Sequence, residues 1–204
     1  WTGRCGPRIA FESARNMMDI TLLLVLGLLG LLGLEDALQT PADKVAPLIP
    51  GLASTDPGQL DRAVSVLEAL CFSAGRPGAE GERKAVALAI AAKLSDDVPV
   101  PARLLFLRGL EAIGKGEVVP ALAKLIAPGN DAALREGARR ALEANPHVNA
   151  KKELRAALRQ ADGNLRAGIV RSLGARRDFL ATADLIEAAG EKDPETKLAA
   201  LEAL

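Results

Sequence analysis

Tyrosine is absent from this chain, tryptophan occurs once, at position 1, and aromatic residues make up only 2% of its 204 residues. A core must therefore be built from Leu, Ala, Val and Ile. With 49% hydrophobic content this favours helices, because Ala and Leu lead the helix-propensity scale while the aromatic β-formers are nearly missing. Histidine occurs once, as His147, and a single imidazole cannot build the multi-ligand zinc or iron sites that metal catalysis needs. The two cysteines, Cys5 and Cys71, imply no disulfide framework. No sign of charge dominates: 26 basic and 26 acidic residues give a net charge of +0, so a bulk polyanion such as nucleic acid is not implied. No P-loop and no Gly-rich dinucleotide turn after a strand is present. Neither a cofactor nor a catalytic group is expected.

What is present begins with an apolar run. From Ile20 to Leu34 the chain reads ITLLLVLGLLGLLGL without a charge, preceded by Arg4, Arg8 and Arg15 and followed by Glu35 and Asp36. That is short for a spanning helix and within the range of a signal-peptide core. The expectation is a leader over residues 1–39, a signal peptide or membrane anchor, with export or tethering as its consequence. Asp19 sits where positive charge is usual, and Ala37 is the best nearby cleavage candidate. A buried helix is disfavoured, because Gly27, Gly30 and Gly33 weaken a helix that no bilayer supports. The first residue is Trp rather than Met, with Met17 and Met18 as alternative starts, and a cytoplasmic location follows if the leader is an artefact of the start site.

The remainder repeats. Asp131, Asp162 and Asp193 stand 31 residues apart, each followed four positions later by a base (Arg135, Arg166, Lys197) and eleven positions later by Leu142, Leu173 and Leu204. A fixed period in this range marks stacking of one supersecondary unit. The first helix of each unit carries an i, i+4, i+8 stripe: Ala102, Phe106 and Leu110, then Leu134, Ala138 and Leu142, then Leu165, Ile169 and Leu173. A second helix follows, marked by Leu122, Leu154 and Leu185. The turns hold Pro128-Gly129-Asn130, Asp162-Gly163-Asn164 and Asp193-Pro194, where Asp and Asn can cap the next helix. Upstream the period loosens. Leu60–Leu70 and Glu82–Leu94 read as a helix pair, and Lys44–Ala53 as an earlier second helix that Pro50 kinks.

The helix pattern D-x-x-x-R-x-x-x-x-x-x-L, a short turn and a second helix with an early Pro resembles a HEAT-like repeat of the short bacterial type also found in phycobilisome lyase subunits. The resemblance covers roughly Ala42 to Leu204 and implies an all-α fold, an α-solenoid of stacked antiparallel helix pairs with repeats of about 31 residues, used as a scaffold for protein association. The paired His-Glu motifs of the HEAT-like deoxyhypusine hydroxylases are missing. Aromatic contacts like those of HEAT-like DNA glycosylases have no counterpart either, which argues against nucleic acid.

Asp131, Asp162 and Asp193 with Arg135, Arg166 and Lys197 form a ladder at helix starts, where an acid can cap the helix or pair with a base four residues on. Its expected role is to join neighbouring units. Cys71 reads as a buried small hydrophobe. One feature points to a partner: between Asp131 and Arg177 there are eleven Lys or Arg against five Asp or Glu, and Arg108, Arg140 and Arg171 recur at one place in successive first helices. Stacking would align them as a basic stripe for an acidic protein, a polyanion or anionic lipid, or as a solvated face. The expected function is a non-enzymatic protein-binding scaffold, exported or tethered, with membrane contact only through the N-terminal apolar segment. The alternatives are an accessory subunit of an enzyme, resembling the chromophore lyases, and a polyanion-binding solenoid. Because Leu204 ends a first helix, the array is expected to continue.

Overall fold

A computed structural model describes residues 39–204. The leader assigned to residues 1–39, with its apolar core at 20–34, lies outside the described residues except for its last position. Every regular element among the described residues is helical. In chain order they are α1 (Pro41–Val45), α2 (Ile49–Leu52), α3 (Pro57–Ala74), α4 (Glu80–Ala91), α5 (Val100–Ile113), α6 (Val119–Ile126), α7 (Ala132–Ala144), α8 (Val148–Leu158), α9 (Gly163–Ala175), α10 (Thr182–Ala189) and α11 (Pro194–Ala203). One-turn 3-10 segments precede α2, α6 and α10.

The helix starts follow from short polar side chains that accept otherwise unpaired N–H groups. Asp56 accepts from Gln59 N at 2.8 Å and opens α3, with Pro57 behind it at a position where a missing N–H is harmless. Asp131 accepts from Ala133 N and Leu134 N, and Asp193 from Thr196 N. His147 caps α8 through Nδ1, which accepts from Asn149 N at 3.2 Å. Asp162 makes no such bond; the chain enters α9 through Gly163 at φ +49, a left-handed conformation suited to glycine. Asn130, expected to cap forward, closes the helix behind it, donating from Nδ2 to Lys124 O and Ala127 O.

Three boundaries differ from expectation. The helix expected over Leu60–Leu70 runs from Pro57 to Ala74, because the Asp56 cap starts it early and Cys71 and Ala74 remain buried at its end. Its partner is Glu80–Ala91, and Leu94, though buried, lies in the following turn. The segment Lys44–Ala53 is broken, with a 3-10 turn at Ala46–Leu48 between α1 and α2, beside Pro47 and Pro50.

The apolar stripes form one core. Phe106, Leu110, Leu142, Ile169 and Leu173 are fully buried in α5, α7 and α9, and Leu122 and Leu154 in α6 and α8. Leu165 is only partly buried. From α5 onward the second helices α6, α8 and α10 each pack against the first helix of the following pair, α7, α9 and α11, and α8 packs against its own partner α7 as well. The α3, α5, α7, α9 and α11 helices touch in that order, and α6 touches α8. At the N-terminal end this order loosens, and α2 also reaches α5.

Candidate interaction surface

The ladder residues divide by type. The acids serve their own helix starts at Asp131 and Asp193, while the bases reach backwards. Arg135 Nε donates to Ile126 O, at the end of α6, and Arg166 Nη1 donates to Leu158 O, at the end of α8. Arg166 also pairs with Glu191, beyond α10, and this contact holds its guanidinium above the ordinary pKa. No ion pair joins Asp131 to Arg135, Asp162 to Arg166 or Asp193 to Lys197 among the described residues. The i, i+4 reading gives way to capping by the acid and inter-helix bonds from the arginines, and Lys197 is exposed. Hydrogen bonding to Thr196 holds the Asp193 carboxyl below its usual value.

Further stitches involve residues that the repeat pattern had not singled out. Asn145 Nδ2 donates to Lys115 O, just beyond the end of α5. One period later Arg176 Nη1 donates to Leu142 O and Glu143 O, at the end of α7. Burial lowers the Arg176 pKa, opposed by Asp178 and Glu143. Arg83 in α4 reaches forward to Ile113 O and Glu117, and Arg155 in α8 to the buried Asp178. The 31-residue recurrence of Asn145 and Arg176 was available as a signal, but the change of residue type hid it.

The three stripe arginines face acids or a cleft. Arg108 Nη2 stands 3.8 Å from Glu68 Oε1 on α3, and Arg140 Nε stands 3.6 Å from Glu111 Oε1 on α5. Arg171 is exposed and lines the cleft between α7 and α9. The row is thus interleaved with Glu68 and Glu111, so its field is weaker than the count of arginines suggests.

Two clefts between successive first helices differ in kind. Between α3 and α5 lies an apolar groove of about 510 Å³. Leu67, Cys71, Leu105 and Ile113 line it, Gly109 widens its floor, and Phe72 stands on its lip with 86% of its surface exposed. A Cβ at Gly109 would come within 3.2 Å of Cys71 Sγ. Burial, reinforced by Glu68, pushes the Cys71 thiol up to about 11, so it is neutral and belongs to the apolar wall.

Between α7 and α9 the cleft encloses about 600 Å³ and is polar. Arg139 lies across it, donating from Nε and Nη2 to Glu136 and from Nη1 to Glu143 and to the buried Ser172 Oγ at 2.6 Å. Burial opposes the Arg139 charge, but the two glutamates outweigh it and raise the guanidinium pKa. Gly168 permits this, since a Cβ there would meet Arg139 Cδ at 3.0 Å.

Among the described residues no group of His, Cys, Asp or Glu is placed to hold a metal ion, and no helix is long and apolar enough to cross a membrane. No family model matches the chain, and no curated protein matches it in sequence.

Proposed function

We propose that residues 41–204 form an α-solenoid of stacked helix pairs, HEAT-like in kind, and that the chain acts as a non-enzymatic scaffold that captures a segment of a partner protein on its first-helix side. The repeat period and the neighbour-to-neighbour packing of α5 to α11 support the architecture. The groove between α3 and α5 carries the functional reading. It is concave and apolar, it carries a nearly fully exposed phenylalanine on its lip, and its size suits a few side chains of a peptide. Delivery to a membrane or across it belongs to the same reading through the charge-flanked run at 20–34.

The test is a selection of short random peptides on the chain, followed by binding to Phe72→Asp and Ala112→Arg. Both positions are exposed and line the groove, so the variants keep their helicity. Loss of the selected peptides by both variants is the expected result. Undiminished binding by both would remove the groove from the proposed function.

A further inference from the structure

The groove does not have a uniform rim. Its charged lining residues are Glu68, Arg76 and Arg108, and they are engaged to different degrees. Arg76 is occupied: Nη2 pairs with Glu82 at 2.7 Å and Nη1 donates to Ser73 O at 2.6 Å. Arg108 stands only 3.8 Å from Glu68, beyond hydrogen-bond length, and both side chains are more than half exposed. Such a pair gains little from its own attraction. A guanidinium presents several N–H donors in a fork that matches a carboxylate. Leu105, Gly109 and Ala112 continue from Arg108 along the same helix, so the cation borders apolar surface directly.

We infer that the segment captured in this groove pairs an apolar anchor with a carboxylate, an Asp or Glu beside the residue that enters the cavity, and that this carboxylate takes Arg108 over from Glu68. The inference rests on the groove being the docking site, as proposed above. Glu68, with 61% of its side chain exposed, can turn to water, so that an acid of the partner replaces the 3.8 Å contact with charge-assisted hydrogen bonds to Arg108, whereas an apolar anchor alone leaves that long contact as it is.

Peptides selected on the chain are measured by titration against the wild type, Arg108→Glu and Phe72→Asp. Each peptide is also made with its acids changed to the matching amides. The expected result is enrichment of acids next to an apolar residue, with a loss of roughly tenfold both for the amide peptides on the wild type and for the acid peptides on Arg108→Glu. A lysine-for-acid peptide should recover affinity on Arg108→Glu. If Phe72→Asp weakens binding but acid and amide peptides bind alike, the carboxylate inference is overturned and the groove stands. If Phe72→Asp changes nothing, or if no peptide is enriched, both are overturned.

Discussion

The clefts at α3/α5 and at α7/α9 both separate consecutive first helices, yet one is an open apolar groove and the other is spanned by an arginine. The difference traces to two positions. Leu105, Gly137 and Gly168 recur at intervals of 32 and 31. Where the residue is glycine, a side chain of the preceding helix moves in: Leu107 Cδ1 would lie 2.8 Å from a Cβ at Gly137, and Arg139 Cδ 3.0 Å from one at Gly168. Where it is Leu105, the side chain becomes part of an apolar wall, so the two clefts differ in lining rather than in size, about 510 against about 600 Å³. The second position is the side chain that occupies the cleft. Arg139 brings its own partners, Glu136, Glu143 and Ser172, whereas the groove at α3/α5 is walled by Leu67 and a neutral thiol. Successive helix clefts of one chain thus differ in surface chemistry while the residues buried beneath them stay apolar.

Making the polar cleft apolar should break the contrast with the largest effect. Arg139→Leu removes the donor shared by Glu136, Glu143 and Ser172 and leaves those acceptors facing a hydrocarbon. Hydrogen bonds to charged groups are individually worth more than neutral ones, but both glutamates keep partial access to water, so the expected loss is roughly 2 kcal/mol. Urea unfolding of the variant measures it. An unchanged midpoint would mean that the arginine only decorates the cleft.

The two glycines should then respond with opposite signs. Alanine gains about 1 kcal/mol over glycine inside a helix. At Gly168 the new methyl displaces an Arg139 side chain fixed by several hydrogen bonds, so Gly168→Ala is expected to lose about 1 kcal/mol net. At Gly109 the obstacle is the Cys71 thiol, which borders empty groove and can rotate, so Gly109→Ala is expected to be neutral or to gain about 0.5 kcal/mol. Thermal unfolding of the two variants side by side checks the order.

Much of this was legible in the sequence, and the exceptions have physical causes. The helix pairs from Val100 onward could be read because Leu, Ala and Ile recur at helical spacing and Asp, Asn, Gly and Pro punctuate the turns. The helix starts at Asp131 and Asp193 follow directly from side-chain capping. The bonding of the bases could not be read. Periodicity places Arg135 and Arg166 four residues after an acid, but the carbonyls they reach belong to the end of the previous helix and are brought close only by packing. The stripe Arg108, Arg140, Arg171 was visible as a spacing, while its interleaving with Glu68 and Glu111 depends on how adjacent helices are offset along their axes. The groove itself was hidden, because its walls are side chains of α3 and α5 that only packing brings face to face.

A pH series sharpens the account of the groove wall. Cys71 in the folded chain keeps its proton to about 11, against an ordinary value of 9.0. Between these two values the unfolded chain has released that proton and the folded one has not, so the folded state binds more protons and stability falls as pH rises. Below 9.0 the contribution is fully present. The unfolding midpoint of the wild type should therefore drop further across this window than that of Cys71→Ala. Native-state alkylation at neutral pH should be slow, and slower still with a peptide in the groove. Parallel midpoints for the two chains would place the thiol in water.

The smallest effect is the most discriminating. Glu68 and Arg108 bridge the mouth of the groove as an exposed pair at 3.8 Å, so Glu68→Gln should change stability by less than about 0.5 kcal/mol. If the pair helped to hold α3 against α5, the loss would be larger and would grow at low salt, where exposed charges are screened least. If the pair is only a resting arrangement of a cation that a ligand can claim, the stability is unmoved while acid-bearing peptides bind Glu68→Gln several-fold more tightly, because Arg108 no longer has to leave a carboxylate to reach another. Stability and affinity measured on the same variant therefore separate a structural latch from a binding residue. No counterpart is expected at Glu143, whose carboxylate is already engaged by Arg139 and Ser172, so that Glu143→Gln should lower stability without creating affinity for acids.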